Sequence, residues 1–184
     1  AYILRRVQKG EQKEDLVEGL SSERELEVMV WGLIPSYTSK DNRPEFYKMF
    51  NARSESINER PAFRRLVGSR RCIVLIDGFY EWQDEGKGLK KQPYHVSQRE
   101  KSVMKVAGLW DCWTDAEGRE LKTFTILTRS SKGSCIAWLH DRCPVILSDG
   151  EEENLWLSPS ATPQDIARFL SALDPPSDLE YYPV

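Results

Sequence analysis

The sequence has little histidine and cysteine and no long hydrophobic run. It contains two histidines, His95 and His140, and four cysteines with no CxxC spacing. Ligands scattered in this way match no common zinc pattern, and a chain of this size needs no disulfide framework. We therefore expect no metal or other cofactor and a reducing compartment. A membrane span needs roughly 18 apolar residues in a row, which the sequence also lacks.

Positive charge is not in excess either. The net charge of −3 argues against a protein that coats nucleic acid by bulk attraction to phosphates. Its distribution is uneven, because the stretch from residue 60 to residue 71 is rich in arginine and contains no acidic residue. Taken alone, such a stretch is interpreted as a solvated helix face. Its arginines are Arg60, Arg64, Arg65, Arg70 and Arg71.

The hydrophobic patterns predict one α+β domain over residues 1–184, mainly β, with a few short helices. The β-branched run Cys72–Ile76 is typical of a central strand buried on both faces. Short connections favour a mostly antiparallel, barrel-like sheet. Further strands are predicted at Ala1–Val7, Leu26–Leu33, Phe79–Trp82, Pro93–Val96, Val103–Trp110, Thr123–Thr128 and Tyr181–Val184. Helices are predicted at Glu59–Leu66, Ser131–Leu139, Glu151–Leu157 capped by Asp149, and from the Thr162 cap to Leu173.

Polar residues at two places in apolar or aromatic surroundings are candidate functional groups. Asn51 follows an aromatic run and by itself is typical of a turn; in an extended segment it shares a face with Arg53, where a phosphate can bind. Glu81 lies among aromatic residues just beyond the predicted central strand. Partial burial there favours a protonated carboxyl suited to acid or base catalysis. The alternative for Glu81 is an edge-strand carboxylate that points to water.

A third candidate is His140, which stands between apolar residues and is followed by Asp141 and Arg142. A single histidine is more often structural than catalytic, but these neighbours also fit an anion site. Cys143 with His140 and Glu81 resembles the set of a thiol hydrolase. Because Cys143 precedes a proline in an apolar strand start, we expect an inert buried thiol instead.

Taken in order, these segments resemble the SRAP family, named for SOS-response-associated peptidases. The resemblance runs from about Val28 to Leu147 and is closer to the eukaryotic abasic-site-processing members than to bacterial ones. The segments that carry it are Trp31–Pro35, Asn51–Glu55, Arg71–Trp82, Gln92–Tyr94, Ala107–Trp110 and His140–Pro144.

The resemblance implies an abasic-site sensor on single-stranded DNA. In the family an exposed N-terminal Cys condenses with the aldehyde of the opened sugar, giving a thiazolidine cross-link. Glu81 is then the acid or base, His140 its partner in proton transfer, and Asn51 the group that orients the N-terminal amine. The DNA contacts implied are phosphate binding by Arg53, Arg142 and Arg60, packing against bases by Trp31 and Pro35, and lining of the pocket by Thr128.

The resemblance also implies a nuclear monomer whose partner is single-stranded DNA with abasic sites, with replication-fork proteins as further partners; for a bacterial source the location is the cytoplasm. No Met-Cys start precedes Ala1 here, so we expect the nucleophile to lie upstream. Two other functions stay open. One is a non-catalytic module that binds single-stranded DNA, and the other is a peptidase limited to cleaving itself.

Overall fold

Strands supply most of the regular structure. The computed structural model describes residues 1–7, 24–40, 45–84, 86, 91–100, 102–148 and 150–184. The strands are β1 (Tyr2–Arg6), β2 (Arg24–Val28), β3 (Val30–Trp31), β4 (Asn51–Arg53), β5 (Arg71–Ile76), β6 (Phe79–Gln83), β7 (Gln92–Gln98), β8 (Met104–Thr114), β9 (Glu120–Ser130), β10 (Arg142–Pro144) and β11 (Leu179–Pro183). The helices are α1 (Pro61–Val67), α2 (Gly150–Leu157) and α3 (Pro163–Ala172), with 3₁₀ turns at Phe46–Lys48 and Ser54–Ser56.

The main sheet curls into a half-barrel in the order β10-β9-β8-β5-β1-β2. Its neighbouring strands along this path are antiparallel, and β5 lies between β8 and β1 as predicted for a central strand. Both β8 and β10 pair with one edge of β9. The opposite edge of β9 pairs with β3 and β4, which run parallel to β9. A second antiparallel sheet has the order β11-β7-β6. The predicted α+β class, mainly β, is confirmed.

Two hydrophobic layers cover the faces of the main sheet. Because strand residues alternate between faces, neighbours in β5 enter different layers. Ile73 packs with residues of all three helices, whereas Val74 packs with Trp110, Phe124 and the second sheet. Since both layers are buried, β5 has apolar surroundings on each side, as its continuous β-branched sequence indicated. No helix in the described part of the chain is long and apolar enough to cross a membrane.

A buried arginine joins the helices to the sheet. The guanidinium of Arg71 donates to the backbone oxygens of Val67 and Ser158, and to that of Trp156 at 2.5 Å. Val67 and Trp156 lie near the carboxyl ends of α1 and α2, where backbone carbonyls have no partner within the helix. Burial lowers the pKa of Arg71. The solvated face predicted for the arginine-rich stretch is therefore wrong at Arg71, which is 5% exposed.

Several local predictions can be compared with the structure directly. Residues 131–139 form turns, so the predicted helix Ser131–Leu139 is wrong: Gly133 has φ +88°, and the Cys135 N–H donates to Pro176 O at 3.3 Å instead of continuing a helix. The predicted strand Leu26–Leu33 is broken at Met29, where the chain changes partner from β1 to β9. The Thr162 cap is confirmed as a capping box with Asp165. The Asp149 cap lies outside the described residues.

Candidate functional site

A cavity of about 820 Å³ opens on the face of the main sheet opposite the helices. Its wall includes strands of both sheets, the turn before β10 and the first residue of the chain, Ala1. Buried or half-buried apolar side chains line it, namely Val74, Ile76, Phe79, Phe124 and Ile126. Polar and charged side chains also line it: Asn51, Arg53, Arg60, Glu81, Thr128, His140 and Arg142. The polar and charged residues of this set lie up to 91 positions apart in the sequence, from Asn51 to Arg142.

Strand β9 and its parallel neighbours β3 and β4 form one side of the cavity. Alternate residues of β9 face the cavity, and each lies beside a cavity residue of β3 or β4 in the parallel pairing. The pairs are Trp31 with Phe124, Asn51 with Ile126, and Arg53 with Thr128. The predicted extended segment at Asn51 is therefore present, and Asn51 and Arg53 share a face, with Ala52 buried on the other. An amide and a guanidinium lie next to each other along one strand.

His140 lies in the turn that leads into β10. Its Nδ1 accepts the backbone N–H of Arg142 at 3.0 Å, and its backbone oxygen accepts from Ser131 Oγ. The backbone oxygen of Arg142 is also 3.2 Å from Nδ1. The neutral imidazole therefore accepts the Arg142 N–H when its proton is on Nε2, and donates to the Arg142 oxygen when its proton is on Nδ1. The carboxylate of Asp141 is 3.2 Å from Nδ1. His140 is half-exposed, so this imidazole can give or take a proton at the cavity through Nε2.

Glu81 enters the cavity from β6, the outer strand of the second sheet. Its side chain is half-buried, and Oε1 accepts the backbone N–H of Trp82 at 3.0 Å. The adjacent aromatic rings of Tyr80 and Trp82 also line the cavity and are 57% and 49% exposed. Exposed aromatic rings beside a carboxylate give a surface on which a planar ligand can stack while the carboxylate exchanges protons.

Arg142 is held by a carboxylate that sequence analysis did not single out. Glu55 receives two hydrogen bonds from its guanidinium, Nη1 to Oε1 at 2.7 Å and Nη2 to Oε2 at 2.9 Å. Nη2 also donates to Thr128 O at 2.6 Å. The Arg142 hydrogen bonds lower the pKa of Glu55 to about 2. Arg142 Nε is buried and has no partner among the described residues.

Arg53 and Arg60 differ from Arg142 in their bonding. Both line the cavity and are exposed, Arg60 as the residue just before α1. Within the described part of the chain, neither forms an ion pair with a carboxylate. Their charge is therefore available to an anionic ligand, although the net charge of the chain is −3.

Of the two residues predicted to pack against bases, Trp31 lines the cavity and Pro35 does not. Trp31 lines the cavity and is 47% exposed, with its ring centroid 5.0 Å from that of Phe50 and its Nε1 donating to Phe50 O at 2.9 Å. Pro35 does not line the cavity; it is buried, and its carbonyl accepts the Thr38 N–H at 2.9 Å. A buried proline in a turn packs the protein itself, so the structure gives Pro35 no exposed surface for a base.

Cys143 is near the candidate acid and base groups but is not an activated nucleophile. It is 2% exposed, and burial raises the pKa of its thiol to about 11. Because the thiolate is the nucleophile, a thiol that stays protonated at neutral pH is unreactive. The inert buried thiol predicted from the sequence is confirmed, and the thiol-hydrolase arrangement with His140 and Glu81 has no support.

The fold is an α+β protein with a curled mixed sheet, and its cavity combines an apolar lining, exposed aromatic rings, arginine side chains, a carboxylate and an imidazole. The chain belongs to the SOS response associated peptidase (SRAP) family, whose model matches residues 6–184.

Named relatives share much of the sequence. The chain is 38% identical over 163 residues to the abasic site processing protein YoqW of Bacillus subtilis, covering 89% of this chain and 70% of the relative. It is 36% identical over 184 residues to the abasic site processing protein HMCES of Xenopus tropicalis, covering 89% of this chain and 53% of the relative. The chain thus spans about half the length of the vertebrate protein.

Solved structures share the fold. A protein of Bordetella bronchiseptica matches with a TM-score of 0.77 and 28% identity, over 100% of this chain and 82% of its own. A protein of Bacteroides thetaiotaomicron matches with a TM-score of 0.73 and 33% identity, over 86% of this chain and 69% of its own.

Proposed function

We propose that this protein processes abasic sites in single-stranded DNA and holds the lesion in the cavity between the two sheets. The observation that carries the proposal is the gathering of Asn51, Glu81 and His140 in one cavity with exposed aromatic rings and with two arginines, Arg53 and Arg60, that have no carboxylate partner among the described residues. Relatives named for abasic site processing match most of the chain. An abasic nucleotide has a phosphate on each side, a reactive sugar and neighbouring bases, and each of these parts has a matching group in the cavity.

Phosphates and bases account for the binding groups. Arg53 and Arg60 neutralise phosphates, because their guanidinium groups are exposed and unpaired among the described residues. The rings of Trp31, Tyr80 and Trp82 stack with bases beside the lesion; stacking on an aromatic ring is worth about 1–3 kcal/mol per base and tolerates any base. Binding should therefore depend on salt and on strandedness more than on sequence.

The chemistry proposed for the lesion is a thiazolidine cross-link to a cysteine N-terminal to Ala1. The closed sugar opens when a base removes the proton of its hydroxyl and an acid protonates the ring oxygen. The amine of the cysteine then adds to the aldehyde carbon and water leaves, giving an imine. The thiol adds to the imine carbon and its proton moves to nitrogen, so aminothiol and aldehyde give thiazolidine and one water.

Glu81 and His140 are the proton-transfer groups in this scheme. The carboxylate of Glu81 is half-buried, and Nδ1 of His140 contacts the backbone of Arg142. The carboxyl oxygens of Glu81 and Nε2 of His140 are therefore the atoms that move protons at the sugar. Asn51 orients the attacking amine. Ala1 supports the location of this amine, because it lines the same cavity and its nitrogen is 3.1 Å from Met29 O. A segment attached to Ala1 therefore begins at the cavity.

Internal cysteines do not replace an N-terminal one. A thiazolidine needs an amine and a thiol on adjacent carbons, and the nitrogens of all internal cysteines are in peptide bonds. Burial also raises the pKa of the thiols of Cys72, Cys112 and Cys143. A nuclear location and association with replication-fork proteins stay predictions, since the matching relatives include Bacillus as well as animals and yeast.

The test compares the protein as encoded, including any residues ahead of Ala1, with the 184-residue chain. Each is incubated with a single-stranded oligonucleotide containing one abasic site and run on a denaturing gel. We expect a heat-stable shifted band from the encoded protein, none after its N-terminal Cys is changed to Ser, and none from the 184-residue chain. An encoded start without cysteine, or an equal band from the 184-residue chain, rules out the thiazolidine and directs the search to an internal nucleophile.

The roles of Glu81 and His140 are tested by rate. In the encoded protein, Glu81→Gln and His140→Ala should each slow formation or reversal of the adduct by about a hundredfold, since a positioned proton-transfer group typically contributes that much or more. Binding to an oligonucleotide with a non-reactive abasic analogue should change little. Glu100→Gln, an exposed glutamate outside the cavity, is the control. Unchanged adduct rates would remove both residues from the chemistry. Binding to the abasic oligonucleotide without any adduct from the encoded protein would favour the non-catalytic binding module.

A further inference from the structure

Glu55 joins the two halves of the cavity. It lies in the 3₁₀ turn Ser54–Ser56, which directly follows β4 with Asn51 and Arg53. Its carboxylate binds Arg142 of β10, which is 87 residues away in the sequence. In the sheet β4 and β10 occupy opposite edges of β9, because Thr128 of β9 pairs with both Arg53 and Pro144. The carboxylate therefore spans the end of β9 and connects strands that do not touch each other through backbone pairing.

The connection continues to His140 through short contacts. Glu55 Oε1 also accepts the backbone N–H of Ser130 at 3.2 Å, next to the pairing of Ser130 with Arg142. The backbone N–H of Arg142 in turn donates to Nδ1 of His140 at 3.0 Å. With its guanidinium fixed to Glu55 and to Thr128 O, Arg142 has little freedom to turn its amide away from the imidazole.

We propose that Glu55 is a positioning residue: its carboxylate holds Arg142 so that the backbone N–H of Arg142, and not its backbone oxygen, pairs with Nδ1 of His140. This pairing selects the tautomer with the proton on Nε2. The same contact sets the distance between His140 on one side of β9 and Asn51 and Arg53 on the other. The inference deepens the proposed function, on which its kinetic readout rests. Its spectroscopic readout does not depend on that function.

Stability alone does not explain this arrangement. The Glu55 side chain is 52% exposed, and an exposed ion pair typically contributes little to stability. The arrangement is nevertheless costly, because it leaves Arg142 Nε buried without a partner in the part of the chain that the structure describes. If the Glu55–Arg142 pair adds little stability but fixes the imidazole of His140, its loss should change the nitrogen shifts of His140 and the adduct rate. The free energy of unfolding should change little.

The first experiment reads the tautomer of His140 directly. Nitrogen-15 NMR of the imidazoles in mildly alkaline buffer distinguishes an acceptor nitrogen from one that carries hydrogen. We expect separated shifts for Nδ1 and Nε2 of His140 in the unmodified protein and shifts moved toward a common average in Glu55→Gln, since an amide offers only one acceptor to the guanidinium. His95, the other histidine, is the internal control and should not change.

The second experiment measures the adduct rate in the encoded protein. Glu55→Gln should slow it by at least about tenfold, because misplaced catalytic groups lose rate steeply. Glu55→Asp keeps the charge and should recover part of the rate. The matched control is Glu59→Gln, which removes the same charge from an exposed residue with no ion pair among the described residues. Urea unfolding of each variant checks that folding is retained.

The outcomes separate the two proposals. If His140 keeps its separated nitrogen shifts in Glu55→Gln, or if Glu55→Gln and Glu59→Gln slow the adduct equally, Glu55 is not a positioning residue. If the unmodified protein forms no adduct while Glu55→Gln still averages the His140 shifts, the proposed chemistry fails and the positioning by Glu55 stands.

Discussion

The two faces of the main sheet use arginine in opposite ways. On the helix side, Arg71 is 5% exposed and its guanidinium donates to three backbone carbonyls at or near helix ends. On the cavity side, Arg53 and Arg60 are exposed, and neither has a carboxylate partner among the described residues. Arg142 is intermediate, because its terminal nitrogens donate to Glu55 and Thr128, whereas Nε has no partner in the part of the chain that the structure describes.

The difference shows that an arginine's role is set by how many of its donors the fold already uses. A guanidinium has five N–H donors and stays charged at any physiological pH. Where backbone carbonyls take these donors, as at Arg71, the residue stabilises the protein. Where the guanidinium lies beside an open cavity and has no carboxylate partner among the described residues, as at Arg53, the residue can bind an anion. Three predictions test this comparison.

The largest effect is expected at Arg71. Arg71→Met keeps most of the side-chain volume but leaves the carbonyls of Val67, Trp156 and Ser158 without their donor. An unsatisfied buried polar group costs about 1–3 kcal/mol, so we expect the free energy of unfolding to fall by about 3 kcal/mol in total. Urea denaturation measures this loss. Arg64→Met, at an exposed residue of α1, should change the free energy by less than about 0.5 kcal/mol; equal effects would contradict the structural role of Arg71.

A smaller effect is expected at Arg53, and it should appear in binding instead of folding. Arg53→Gln should weaken binding to single-stranded oligothymidylate and reduce the steepness of log K against log salt concentration by about 0.7, the value for one phosphate contact on a single strand. Stability should not change. Arg64→Gln removes an equal charge outside the cavity. If both variants flatten the salt dependence equally, the effect is one of overall charge and Arg53 makes no phosphate contact.

The smallest effect concerns Glu55 and pH. Arg142 lowers the pKa of Glu55 from 4.5 to about 2, so the ionised carboxylate is favoured in the folded state. Its contribution to stability is complete above pH 4.5 and is lost as the pH falls through about 2. Because Glu55 is half-exposed, this contribution is small. Carboxyl carbon-13 NMR of Glu55 measures the titration directly, and a midpoint near 4.5 would show that the pair with Arg142 does not form in solution.

Sequence reasoning was strongest where a local pattern has one physical meaning. The β-branched run at β5 fits only a strand with apolar surroundings on both faces, and Thr162 with Pro163 and Asp165 fits the start of a helix; both are confirmed. It failed at residues 131–139, where apolar spacing fits a helix. There a positive φ at Gly133 and the distant acceptor Pro176 O decide the backbone.

The candidate site shows the same division. The motifs named Asn51, Glu81 and His140 individually, and the structure places all three in one cavity with Arg53, Arg60, Arg142, Trp31 and Thr128. Pro35 was named with them, but the fold buries it outside that cavity. Glu55 stood within a quoted motif without a role, because its partner lies 87 residues further along the chain.

By itself, the sequence determined which residues alternate into the core, where α3 begins and which polar residues stand in apolar surroundings. These properties depend on neighbours within a few positions, whose spacing fixes the face on which a side chain lies. Only the tertiary structure decided which of the described arginines donate to groups of the protein and which face the cavity without such a partner in the described ranges, since the partners come from distant strands and helices. Arg71, Arg142 and Arg53 are the same residue type in the sequence, and the fold alone gives them different chemistry.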